Sequence, residues 1–236
     1  MSSALSFSDT SIAFESKTNQ DLKRAHLLFK AIGMNWLVQA GAPLVNMAFA
    51  IKLPISGLIR KTVFKQFCGG ESIEECEATT ELLAKYHIGT ILDYSVEGKE
   101  EEAIFEATCN EILHTIDKAK GNSKIPFCVF KPTGIASMTL LTKISAKEQL
   151  NKEQHDELTA TRNRMNRICK AAYDNDVRLF IDAEESWTQD AIDALVREMM
   201  LKYNKEKAIV FNTAQLYRHD RVEFIKRSYF DAQTNY

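Results

Sequence analysis

An α/β fold is predicted for this chain: strand-then-helix units on a parallel sheet or barrel, preceded by a helical arm. Three observations carry that prediction. Short apolar runs near residues 88–95, 127–133, 177–184 and 208–215 each end in a polar loop. The segments between them repeat apolar residues at the three- and four-residue spacing of amphipathic helices, and such alternation implies parallel pairing. Residues 20–85, by contrast, show helical spacing alone, as in Leu27, Leu28, Ile32 and Trp36.

The elements follow in order. Residues 1–85 form the arm, and residues 86–236 carry the strand–helix units. Within the arm the uncharged run 31–51 approaches the length of a membrane span, about 20 residues. Asn35, Gln39, Gly41, Pro43 and Asn46 argue against a span and for buried or interfacial helices broken near Gly41-Ala-Pro43, with peripheral membrane contact left open. Ser145-Ala-Lys-Glu148 has the form of a capping box, and Thr188 with Asp190 suits the start of a helix running through Ile192, Leu195, Val196 and Met199. Val222, Phe224, Ile225 and Phe230 suit a last crossover helix. A complete (βα)8 barrel takes about 250 residues, so residues 86–236 accommodate the first half of one.

Composition narrows the function classes. With 45% hydrophobic and 26% charged residues the chain is globular, and a net charge of −2 gives it no general attraction to nucleic acid. Arg162, Arg164, Arg167 and Lys170 make a basic helical face without interleaved aromatics, the pattern of a solvated helix. The 5 cysteines are odd in number and never spaced Cys-x-x-Cys, which suits buried free thiols in a reducing cytoplasm. The start Met1-Ser-Ser-Ala-Leu lacks the basic region of a secretory or transit signal, so a cytoplasmic location is expected, with any membrane association peripheral to the inner membrane. The histidines are scattered without ligand spacing, and no metal site is expected; nor is there a dinucleotide fingerprint, a P-loop or a nucleophile elbow.

In a barrel the functional groups gather where strands end. The polar residues there are Asp93, Lys131, Asp182 and Gln215. Strand alternation puts Phe180, Asp182 and Glu184 on one face and Leu179, Ile181 and Ala183 on the other, so Asp182 follows Phe180 toward the barrel mouth. Glu184 and Glu185 suit the N-terminus of the next helix, where negative charge is favoured.

Four motifs in order, Ile91-Leu-Asp-Tyr-Ser-Val-Glu97, Phe130-Lys-Pro-Thr-Gly-Ile-Ala136, Leu179-Phe-Ile-Asp-Ala-Glu-Glu-Ser-Trp187 and Val210-Phe-Asn-Thr-Ala-Gln-Leu-Tyr-Arg218, resemble the first half of the proline dehydrogenase barrel. The likeness runs over about residues 64–218. It implies a (βα)8 flavoenzyme that uses FAD to oxidise L-proline to 1-pyrroline-5-carboxylate, with a quinone as electron acceptor. Carried over by position, Lys131 faces the substrate carboxylate, Asp182 lines the proline pocket and places the secondary amine, Gln215 bonds the polar edge of the isoalloxazine, and Asp93 is the counter-charge of Lys131. The family's flavin-side arginine and paired carboxylate-binding arginines would follow Tyr236. The expectation is therefore the N-terminal piece of a longer enzyme or a half barrel that self-associates through its open edge. The rival reading is a non-catalytic fragment or assembly module.

Overall fold

The structure is a computed structural model that describes residues 8–94 and 100–235. Ser95, Val96 and Glu97 of the first motif lie outside the described residues, as does the start Met1–Phe7. The chain divides into two compact units, Met1–Ile88 and Gly89–Tyr236.

The first unit is helical: α1 (Thr10–Ala13), α2 (Asn19–Ile32), α3 (Asn35–Ala50), α4 (Ser56–Ile59), a π-helical turn (Arg60–Phe64), α5 (Lys65–Phe67) and α6 (Ile73–Ala84). Thr18 and Asp21 close a reciprocal capping box that starts α2. The expected break near Pro43 does not occur, for α3 runs through it from Asn35 to Ala50. Proline removes only its own N–H, and an exposed helix leaves the freed carbonyl in reach of water. No described helix is long and apolar enough to cross a membrane. Among the described residues of this unit Thr80 alone is buried, while Trp36 at 67%, Leu27 at 65% and Met47 at 56% are well exposed.

The second unit alternates as expected: β1 (Ile91–Asp93), α7 (Glu102–Ala119), β2 (Phe127–Phe130), α8 (Met138–Ser145), α9 (Lys152–Asp174), β3 (Arg178–Ile181), α10 (Gln189–Tyr203), β4 (Val210–Asn212) and α11 (Arg221–Asn235). The strands form one sheet in the order β1-β2-β3-β4, and every pairing is parallel. Leu92, Cys128, Phe130, Leu179, Ile181 and Val210 are buried on one face, where α7 packs on β2, α9 on β3 and α10 on β4. Those helices contribute Ile112, Ile116, Met165, Ile168, Ile192 and Val196 to the core, each side chain stabilising the fold by roughly 1.5–3 kcal/mol.

The opposite face behaves differently. The register aligns Asp93, Val129, Phe180 and Phe211 across the sheet, with Ile91 and Phe127 one step below. Phe127 stacks on Phe180 at 4.5 Å, and Phe211 meets both edge-on at 5.6 and 5.5 Å. These rings are only half-buried, and Ile91 is 43% exposed. This is the face that a closed barrel turns inward.

Two local expectations change. Ser145 ends α8 instead of opening a helix, and its Oγ accepts from the Ala191 N–H at 3.0 Å, capping the first turn of α10 across space. The capping box before α9 is Asn151 with Gln154. Arg164 is not solvated: it is 2% exposed, donates through Nε to the Ile135 carbonyl at 2.9 Å, pairs with Glu102 and lies 5.4 Å from the Phe105 ring. Its positive charge is thus spent on joining α9 to α7 and to the loop after β2.

The thiols give a test of this core. Cys109, Cys128 and Cys169 are buried, whereas Cys68 is exposed. Burial pushes the Cys128 thiol up to about 11 and the Cys169 thiol up to about 12. Iodoacetamide at pH about 8 should therefore modify Cys68 in the folded chain and reach Cys128 and Cys169 only after denaturation, because the thiolate is the nucleophile. Peptide mass mapping before and after urea checks this; rapid labelling of Cys169 in the folded chain contradicts it.

Candidate functional site

At the C-terminal ends of the strands, on the helix-free face, lies an open cleft of about 820 Å³. Lys131, Thr133, Asp182, Glu184, Gln215 and Tyr217 are among its lining residues. Three strand-to-helix loops meet there.

Lys131 directly follows β2 and opens a tight 3-10 turn, Pro132–Gly134, in which the Gly134 N–H donates to the Lys131 carbonyl at 3.0 Å. Gly134 packs closely on α7: a Cβ there would sit 3.2 Å from the Thr108 methyl, which would have to give by a few tenths of an ångström. Asp182 directly follows β3; its N–H donates to the Phe130 carbonyl at 3.0 Å, and its Oδ1 accepts from the Ala183 N–H at 2.9 Å. Gln215 lies three residues beyond β4, where its Nε2 donates to the Glu184 carbonyl at 3.0 Å. Among the described residues its buried Oε1 accepts no hydrogen bond. Asp93 ends β1 opposite Val129, one step below Lys131 on the same face, and is not among the residues that line the cleft.

Glu184 has a role that its assignment to a helix terminus did not foresee. Its Oε1 accepts from the Thr133 N–H at 2.8 Å, its Oε2 accepts from the Thr133 hydroxyl, and its own N–H donates to Gln189 Oε1 at 2.9 Å. Burial raises its carboxyl above the usual glutamate range, against the pull of the Thr133 donors and Lys131, while Glu185 pushes the same way as burial. The alternation that placed Glu184 on the Asp182 face was the sequence signal for this position; Thr133, Glu100 and Tyr217 had none.

The loops are anchored from below by buried polar groups. Asp193 on α10 accepts from Gln189 Nε2 at 2.9 Å, Asn212 Nδ2 at 2.9 Å and Arg221 Nη1 at 2.7 Å. One carboxylate thus joins the start of α10, the end of β4 and the start of α11.

A parallel sheet with helices on one face and convergent polar groups at its strand ends defines a barrel-type α/β domain with its site at the C-terminal rim. Known proteins say which barrel this is. A family model described as proline dehydrogenase matches residues 76–236, and the chain belongs to that family. "Proline dehydrogenase 1, mitochondrial" of Dictyostelium discoideum is 29% identical over 94% of this chain and 46% of its own length. "Carbapenem antibiotics biosynthesis protein CarD" of Pectobacterium carotovorum subsp. carotovorum is 30% identical over 69% of this chain and 43% of its own. The chain spans less than half the length of either relative. Proline utilization A from Bdellovibrio bacteriovorus matches in fold, with a TM-score of 0.62 at 15% identity, covering 100% of this chain and 26% of that one.

The cleft also fits the polar edge of a flavin. Its volume lies within the roughly 300–1,000 Å³ of cofactor and ligand sites. The unspent Gln215 Oε1 is an acceptor aligned by the donation of its own Nε2, as an N–H on a ring edge requires.

Proposed function

We infer that this chain contributes the first half of an FAD-dependent proline oxidation site, converting L-proline to 1-pyrroline-5-carboxylate. One observation carries the reading: a lysine, an aspartate and a glutamine with an unused acceptor, each from a different strand end, open onto one cleft. Family membership supports the same chemistry.

Lys131 binds the substrate carboxylate, since an ammonium in a partly desolvated cleft pairs well with an anion. Asp93, one step below on the same face, serves as the counter-charge that keeps Lys131 protonated. Asp182 orients the ring nitrogen. Gln215 holds the cofactor through Oε1, and the flavin supplies the acceptor for the hydride that leaves the ring carbon beside that nitrogen. The nitrogen loses its proton as the C=N bond forms, so two electrons and two protons leave the substrate in all. Positioning is the main contribution of these residues.

The remaining assignments rest on the resemblance and on surface character. A quinone takes the electrons, and the chain works in the cytoplasm, peripheral to the inner membrane. Residues 22–68 support the membrane contact: their charged side chains are all Lys or Arg, beside exposed Trp36, Phe49 and Phe67. The half-buried aromatic face of the sheet supports pairing with a second copy of the half barrel.

The test is anaerobic titration of the FAD-loaded chain with L-proline, followed by loss of the oxidised-flavin absorbance. Bleaching supports the reading, and Lys131→Met should raise the proline concentration for half-bleaching by about tenfold to a hundredfold, the worth of one charge-assisted contact. FAD binding without bleaching would favour the non-catalytic module.

A further inference from the structure

We propose that Glu184 is the positioning residue of this cleft, its carboxylate fixing the turn that carries Lys131 and its main-chain carbonyl fixing the Gln215 amide by its Nε2, which leaves Oε1 as the uncommitted end. The proposal rests on the flavin and proline reading above and adds a residue to it.

The geometry makes one residue the junction of three loops. Thr133 belongs to the turn that Lys131 opens, and both its N–H and its hydroxyl donate to Glu184. The Glu184 carbonyl takes the Gln215 amide nitrogen at 3.0 Å, and that bond sets which end of the amide is spent. With Nε2 engaged, Oε1 is the end left to bond, and it is buried. The Glu184 N–H is held in turn by Gln189, itself tied to Asp193 in the core. An amide free to flip would present a donor and an acceptor interchangeably, so the junction converts Gln215 into a dedicated acceptor.

The carboxylate form of Glu184 can accept both Thr133 donors, whereas protonation removes one acceptor site. Burial and Glu185 favour protonation; the Thr133 donors and Lys131 oppose it, and Asp182, Glu100 and Tyr217 line the same cleft. Because the folded-state value is raised, ionising Glu184 costs stability as pH rises through it, and the folded chain gains from this group below the ordinary glutamate range. The bridge and the stability of the fold therefore respond to pH in opposite directions.

The experiment uses the whole chain, labelled with nitrogen-15, and follows the residue-133 amide against pH without ligand, then FAD affinity by fluorescence quenching. The amide should titrate with a midpoint above the ordinary glutamate range. That midpoint should rise further in Thr133→Val, stay in place in Thr133→Ser, and vanish in Glu184→Gln. Glu184→Ala should weaken FAD binding by about tenfold, with Glu184→Gln restoring most of it because its single amide oxygen still accepts from Thr133. An amide that does not titrate, or an alanine variant that binds FAD as tightly as the parent, overturns the positioning role. A titrating amide in a chain that binds no FAD upholds the bridge and instead overturns the flavin reading.

Discussion

Asp182→Ala is expected to slow proline-dependent flavin bleaching by about a hundredfold or more while leaving the fold intact. Asp182 stands at the end of β3 on the face that Phe180 occupies, directly above the aromatic cluster and inside the cleft. Its main-chain N–H supplies the bond to the Phe130 carbonyl, which alanine keeps. Among the described residues its carboxylate makes only a local bond to the Ala183 N–H, so the chain loses little when it goes. The substrate would lose the group that orients its nitrogen, and misplacement of a reacting centre by about 1 Å costs about a hundredfold. Stopped-flow bleaching under anaerobic conditions measures the rate, with circular dichroism as the fold control. A rate within threefold of the parent would remove Asp182 from the site.

The largest effect on stability should come from Asp193→Ala, at about 3 kcal/mol. Asp193 and Arg221 are only 9% and 5% exposed in their side chains, and the substitution leaves the guanidinium without its buried partner. Gln189 and Asn212 lose their shared acceptor at the same time. The cost stays near the low end for a broken buried pair because Asp220, with its carboxyl held down to about 2 chiefly by Arg221, remains beside that arginine. Urea unfolding should show a lower midpoint with an unchanged slope. Asp193→Asn, which keeps an acceptor but not the charge, should fall between the two. Equal stability of parent and alanine variant would mean that the buried cluster is not holding α10, β4 and α11 together.

Much of this was legible in the chain because the signals are local. An apolar run of alternating polarity ending in a polar loop marks a strand and its exit, and four such runs located β1 to β4 and put Lys131, Asp182 and Gln215 at their ends. Asp182 and Glu184 were placed on one face by the same period of two. The misses share a different cause. Arg164 looked like one of four solvated cations because its partners, Glu102, the Ile135 carbonyl and Phe105, lie far from it in sequence. Ser145 looked like the cap of its own helix because its true partner, the Ala191 N–H, reaches it only across the fold. Pro43 looked like a break because the chain's tolerance of one missing N–H depends on whether solvent reaches the helix.

By itself, then, the sequence determined the order of elements, the parallel α/β class, the family and the strand-end residues, since backbone period and side-chain polarity act over a few neighbouring positions. Only the tertiary structure decided which of those residues meet. It opened one cleft to Lys131, Asp182 and Gln215, left Asp93 one step below it, and made Glu184 the junction of three loops. The reason is that hydrogen bonds between loops depend on distances of about 3 Å that exist only once the sheet has brought its strand ends side by side.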